Sequence, residues 1–293
     1  MSLQQFANGI FQGSVYALFA VGYTLIFGVL DILNLAHQAI FTLGAFIAFW
    51  LLTEAGISIY LAFPLAMIAC GLIGIALDKI AFAPLRKRRD THFSAMITSI
   101  AVATMLQALA QGYWGSSDQR FPFGSYPDGI YIFGDVYILQ LQIIILVVSL
   151  VLMIGLTMML KYLPIGKAIR AVAESQRTAR LLGINVERVI SQTFFISSAL
   201  GGAAGILYGL LFSFSPTVGN NLELKGLSVI ILGGMGSIVG AVIGGFLLGL
   251  IEVATISMTD SSSYRDAVAF TLLFLILLAR PQGLLGRKRA REA

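Results

Sequence analysis

Residues Leu163–Val189 read LPIGKAIRAVAESQRTARLLGINVERV. This island of about 27 residues is polar, basic and rich in helix formers. Apolar runs long enough to cross a bilayer flank it, at about 139–161 and 189–213. So apolar a chain exposes a helix of this size where something soluble docks. The island therefore fixes two things together: a membrane-embedded body and one face that meets a soluble partner.

Composition supports the first. The 293 residues are 58% hydrophobic and 11% charged, with a mean hydropathy of +0.89. Soluble domains carry about 25% charged residues. The fold expected is an all-α polytopic membrane protein in contact with the lipid bilayer. A β-barrel is disfavoured, because its strands alternate where these runs are continuous. No basic cluster precedes the first apolar run and that run reaches spanning length, so it reads as a membrane span rather than a signal peptide. The lone Cys70 lies within an apolar run and reads as a small core residue. The net charge of +5 sits in short loops rather than on a soluble domain, which argues against nucleic acid as a partner.

About eight hydrophobic segments are legible, at 7–29, 33–52, 57–79, 93–113, 139–161, 189–213, 226–257 and 266–280. Fifteen of the 19 Lys and Arg residues fall in three places: 86–89, the island with its edges, and the tail from Arg280. The positive-inside rule makes those places cytoplasmic. The opposite loops, 114–138, 214–225 and 258–265, carry Asp118, Asp128, Asp135, Glu223 and Asp260. The N-terminus is then outside and the C-terminus cytoplasmic. Residues 1–293 read as one transmembrane domain, with a cytoplasmic loop at 163–188 and an external loop at 114–138.

That orientation sets a parity condition on segment 226–257, which has to start and end outside. One unbroken helix does not do this. Leu232-Gly-Gly-Met-Gly-Ser237 offers the break: a half-helix at about 226–235 enters, stops at the glycines and returns as a full helix at about 238–257. Such re-entrant segments occur only where protein or a water-filled cavity covers the freed backbone. Small residues spaced for close helix packing recur at Gly236, Gly240 and Gly244, at Gly245 and Gly249, and at Gly201, Gly202, Gly205 and Gly209. The 114–138 stretch has turn residues and aromatics without helical period, and reads as an ordered loop or short hairpin.

The chemistry of an enzyme is missing from the motifs. Two histidines, His37 and His92, leave no HExxH site, and no metal site is expected. There is no GxSxG and no GxxxxGK[ST], so no cofactor is assigned to this chain and no ATPase site of its own is expected. Polar residues inside apolar runs are the functional candidates. Asn34, His37 and Gln38 fall at i, i+3, i+4 and share a face if helical, a set suited to a polar, net-neutral solute. The competing reading of Asp31–Gln38 is a short cytoplasmic turn with an aspartate cap. Glu252 is the sharpest oddity, since a carboxylate at a helix centre costs roughly 2.5–3.5 kcal/mol and each Leu returns only about 0.3–0.6. Near the outer end of its segment it is expected to snorkel to the interface. Tyr23, with Asn8, Gln12, Tyr16, Thr24 and Gln107, either cements helices or lines a path.

Within the island, Ala168–Leu182 reads as one helix of about 15 residues, with Gly183 as its C-terminal cap and Glu174 within reach of Arg170 or Arg177. Mixed charge and small residues fit a knob seated in a partner's cleft better than a lipid-binding amphipath.

These residues carry a resemblance. The pattern Gly166, Arg170-Ala171, Glu174, Ala179 and Leu182-Gly183-Ile184 resembles the cytoplasmic coupling loop of LivH-type branched-chain amino acid permeases of bacterial ABC importers. Gly13–Ala39 is similar to the opening of that family, where Asn-Phe-Ala-His-Gly is usual; this chain has Asn34-Leu35-Ala36-His37-Gln38, with glutamine in place of the glycine. Leu224–Gly245 resembles the family's glycine-rich C-terminal segment. The likeness covers nearly the whole chain in three ordered blocks.

The resemblance implies an inner-membrane permease subunit that imports branched-chain or other neutral amino acids. It implies a heterodimer with a homologous permease, and two cytoplasmic ATPase subunits that bind ATP and grip 166–184. It also implies an extracytoplasmic solute-binding protein. Gly166, Arg170, Ala171, Glu174, Ala179 and Gly183 become the coupling residues, and Tyr23, Asn34, His37, Gln38, Gly234 and Gly236 the candidates for the translocation path. A urea or short-chain amide permease is the sister alternative. A secondary transporter fits less well, because intramembrane carboxylates are scarce.

Overall fold

The computed structural model describes residues 3–87, 91–134, 136–259, 264–279 and 283–285. The eight hydrophobic runs appear as helices α1 (Leu3–Leu30), α2 (His37–Thr53), α3 (Ile59–Leu77), α4 (Thr91–Trp114), α5 (Gln140–Tyr162), α8 (Val186–Leu211), the pair α9 (Val218–Gly233) and α10 (Ile238–Thr259), and α11 (Arg265–Ala279). The island forms α6 (Pro164–Glu174) and α7 (Gln176–Leu181). Among the described residues six helices are long and apolar enough to cross a membrane, with α2 a shorter apolar helix. The chain is an all-α, multi-pass membrane protein.

Helix α1 is the central post and is buried along nearly all of its apolar length. It lies antiparallel to α10 at very short range. A Cβ built on Gly245 would collide with the backbone of Ala17, and one on Gly249 would meet Gly13 at 2.5 Å. Helix α8 packs on α2 and α3 in the same way: a Cβ on Gly205 would fall on the Phe41 carbonyl. Hydrophobicity alone does not join helices in lipid, so close packing of small residues supplies the contact. Cys70 is fully buried against Gly202, as a small core residue should be.

The end of the 114–138 stretch forms an antiparallel hairpin, β1 (Ile130–Phe133) paired with β2 (Val136–Leu139). Gln4 near the start of α1 bonds both the amide and the carbonyl of Tyr137, which puts the N-terminus at the hairpin end of the bundle. Ser257 donates to Gln5, so the far end of α10 returns there too.

The break in segment 226–257 is present, with its boundaries displaced. The first arm begins at Val218 rather than near 226, and both arms follow the parity condition. The turn is Gly234–Ser237, with Gly234 at φ 102° and Gly236 at φ 85°, a region that side-chain-bearing residues rarely adopt. Freed backbone groups at the break are paired: Leu284 and Leu285 donate to the carbonyls of Leu232 and Gly233, at 2.8 and 3.0 Å, and Ser237 Oγ accepts from the Gly240 amide. Protein therefore covers the broken helix, as an apolar surround demands.

Two local expectations are corrected. Segment two does not start at 33: residues 31–36 are non-helical, and α2 begins at His37. Asp31 does not cap α2; it follows α1 at φ 58°. The island is two helices rather than one. Ser175 breaks it with an extended backbone, and its side chain accepts from the Thr178 amide to cap α7. Serine competes well for this role against a mid-helix position.

Candidate functional site

The first candidate site is the island itself. Pro164 starts α6, where its missing amide costs nothing. One face of α6, with Gly166, Ile169 and Val172, is buried against the bundle. Gly166 lies directly on the backbone of Met159 and Leu160, so no side chain fits there. Ala179 is likewise buried at 1% exposure. Arg170, Glu174 and Gly183 face outward, and Ala171 is half-buried. Gly183 closes α7 at φ 81°, its amide bonding the Arg180 carbonyl. The six residues thus divide into two packing positions and an outward set. Glu174 makes no ion pair with Arg170 or Arg177 among the described residues; Arg170 instead donates to the Lys161 carbonyl at 3.4 Å.

The exposure of two neighbouring leucines here is not evident from the sequence pattern, although Leu182 belongs to the Leu182-Gly183-Ile184 match. Leu181 and Leu182 are 82% and 75% exposed at the tip of α7. They add two bulky apolar side chains to an otherwise small-residue surface. A continuous Ala168–Leu182 helix hid them, because the turn at Ser175 redirects them.

Beneath the island lies an ion-pair chain. Arg86, in a short 3₁₀ turn at Leu85–Lys87, holds Asp78 with Nη1 and Glu187 with Nη2, the latter at 2.7 Å. Ser191 Oγ donates to the second Asp78 oxygen at 2.6 Å, and Arg180 Nη2 approaches Glu187 at 3.7 Å. Burial opposes the Arg86 charge, but the bonds to Asp78 and Glu187 outweigh it and hold its pKa above the usual value.

The second candidate site is at the start of α2. The His37 ring stacks on Tyr23, with centroids 5.5 Å apart and planes at 9°, and Phe19 lies 4.9 Å away. Gly22 of α1 and Gly201 of α8 leave room for it; a Cβ on either would crowd the ring. Gly201 is 15 residues into α8, or about 22 Å along a helix about 39 Å long. His37 therefore sits near the middle of α8's length, and Ile32, Asn34 and Ala36 of the non-helical segment before it are buried while Asp31 is exposed. Asn34 and His37 do not share a helical face, since Asn34 precedes the helix and its Oδ1 accepts from the Ala36 amide.

Buried polar atoms without partners cluster at this level: Tyr23 OH, Thr24 Oγ1, Asn34 Nδ2, Gln38 Oε1 and Ser198 Oγ. Apart from a weak contact with the Phe19 backbone, neither His37 nitrogen is hydrogen-bonded. Native interiors pair nearly all such groups with protein or water. Gly234 and Gly236 are not part of this cluster. They lie at the α9–α10 turn, where Gly236 faces Gly28, farther along α1 than Gly22.

Glu252 corrects an expectation. It does not snorkel: it is fully buried and pairs with Lys225 at 2.8 Å, while its other oxygen accepts from Gln12 and Tyr16. Lys225 also reaches Asp266 at 3.2 Å. Lys225 lies on the short arm, one residue before the start at about 226 that the sequence suggests, so hydropathy alone does not reveal the pairing.

A multi-pass bundle with a re-entrant helix pair, a mid-depth polar cluster and a protruding helix pair defines a membrane permease. The comparisons make this specific. The family described as branched-chain amino acid transport system / permease component matches residues 5–277, and the chain belongs to that family. It is 36% identical to the high-affinity branched-chain amino acid transport system permease protein LivH of Salmonella typhimurium, over 97% of this chain and 96% of that protein. It is 35% identical to the corresponding BraD protein of Pseudomonas aeruginosa, with the same coverage. The LivM permease protein of Salmonella typhimurium is 26% identical, over 94% of this chain and 68% of that protein.

Proposed function

We propose that this chain is the inner-membrane permease subunit of an ATP-driven importer of branched-chain or similar neutral amino acids. The observation that carries the reading is the α6–α7 pair, which presents Arg170, Glu174, Leu181 and Leu182 outside the membrane body. Exposed apolar anchors rimmed by charge mark a protein-docking surface. The sequence has no P-loop of its own, so ATP acts on partner subunits that grip this pair. The basic loops put the island in the cytoplasm and the hairpin end outside. Arg88, Arg89 and the basic tail from Arg280, which contribute to that orientation, lie outside the described residues.

A homologous permease of the LivM kind completes the pore, and a solute-binding protein delivers cargo at the hairpin end. Tyr23, Asn34, His37 and Gln38 line the path at mid-depth. Their unpaired polar atoms meet water or the passing solute, which accounts for leaving them without protein partners. In the relatives' printed names the cargo is branched-chain amino acids.

Two measurements test this. Glu174→Arg and Gly183→Trp abolish uptake and capture of the ATPase while membrane insertion persists; unchanged capture and uptake sink the coupling role. Calorimetry on the partner binding protein detects Leu, Ile or Val; binding of urea or amides alone rejects the cargo.

A further inference from the structure

Among the described residues, the Asp78–Arg86–Glu187 ion-pair chain beneath the island touches neither the outward coupling residues Arg170, Glu174 and Gly183 nor the path residues at His37. Asp78 is fully buried at the end of α3, where the helix widens into a π turn and the Ala83 amide bonds the Asp78 carbonyl. Such turns interrupt a helix at some cost and recur at functional positions. Arg86 folds back over this turn and spans two carboxylates, one on α3 and one on α8. Its planar fork suits this bridge; an ammonium offers no two parallel donors. Glu187 sits in the first turn of α8, where a carboxylate is favoured, and there it also meets Arg180 of α7. A cavity of about 450 Å³, lined by Lys79, Arg86, Asn185, Arg188 and Gln192 among others, adjoins the bridge and leaves it room to rearrange.

The bridge reaches the polar cluster through rigid packing. Gly74 of α3 presses on Ser198 of α8, Cys70 on Gly202, and Gly201 on the His37 ring. At each contact a glycine seats a neighbouring side chain directly against helix backbone, which leaves little slack to absorb displacement.

We propose that Arg86, with Asp78 and Glu187, is a clasp that locks α3 to α8 where Arg180 of α7 meets Glu187, so that movement of α7 displaces the helices packed on His37. Arg86 and Glu187 are positioning residues: they touch no solute and no nucleotide. The inference rests on the island's role as the coupling element.

The test uses the full complex, with partner permease, ATPase subunits and binding protein, in proteoliposomes. Leucine imported per ATP hydrolysed is measured for Glu187→Gln, Arg86→Gln and the double variant. Each single variant lowers the ratio at least fivefold while ATPase capture stays at the parental level. The double variant falls no further than the worse single, because one linkage is lost only once. A ratio for Glu187→Gln within twofold of the parent overturns the clasp, as does a double variant that equals the product of the singles. Loss of ATPase capture by Glu187→Gln also overturns it, since the group would then serve docking. Glu187 is 57% exposed, so its variant folds even if Arg86→Gln, which strands Asp78, does not insert. Glu174→Arg separates the two claims. If it keeps capture and uptake, the coupling role of the island fails; if it loses them while Glu187→Gln behaves as parent, only the clasp fails.

Discussion

The Lys225 ammonium lies 2.8 Å from a Glu252 carboxylate that is wholly buried, tying the short arm α9 to the long return helix α10. Breaking one partner of a buried pair leaves an uncompensated charge. Lys225→Met leaves the buried Glu252 carboxylate without the Lys225 ammonium and is expected to cost about 3 kcal/mol. Glu252→Gln costs less, because Asp266 remains 3.2 Å from Lys225. The double variant Lys225→Met, Glu252→Met recovers most of the loss. Thermal unfolding of the chain in nanodiscs ranks the three; equal destabilisation by all of them contradicts the pairing.

Close helix approach predicts a second asymmetry. A Cβ on Gly205 falls on the Phe41 carbonyl, a backbone atom that does not rotate away. Gly205→Ala forces α2 and α8 apart and is expected to cost about 1–3 kcal/mol or more. Gly155→Ala on α5 meets nothing within 4 Å and leaves the fold as stable or slightly more so. The yield of folded protein in mild detergent distinguishes the two.

At mid-depth, Tyr23→Phe removes a buried hydroxyl that has no partner. Stability stays level or rises, because an orphaned polar group costs about 1–3 kcal/mol. Leucine uptake falls by about tenfold, or about 1.4 kcal/mol of barrier, if the hydroxyl meets the solute. Uptake at the parental rate would remove Tyr23 from the path.

Leu181→Asp with Leu182→Asp is expected to weaken ATPase capture at least tenfold with no change in unfolding temperature, because both side chains are largely exposed. A lowered unfolding temperature with intact capture would assign them to packing within the chain.

The fold was legible where membrane physics is strict. Spanning lengths, the basic loops and the glycine break at Leu232–Ser237 gave the segments and the parity, since a bilayer leaves few ways to bury a backbone. What depends on distant partners was not legible. From the sequence Glu252 has no evident partner, because Lys225 falls in 214–225, which reads as an external loop. The Asp78–Arg86–Glu187 bridge joins residues more than 100 positions apart, with no shared motif. Asp31–Gln38 reads equally as a helical face or as a turn, because both fit the spacing of Asn34, His37 and Gln38; the structure has the turn, with the His37 amide bonding the Asn34 carbonyl. Ser175 split the island because a local side-chain bond outweighed the helix propensity of its neighbours.

The most direct measurement is leucine uptake by proteoliposomes holding this chain with its partner permease, ATPase subunits and binding protein. Accumulation is expected to require ATP and the binding protein and to be abolished by Glu174→Arg. Leucine accumulation driven by an ion gradient without ATP, or undiminished by Glu174→Arg, would contradict that expectation.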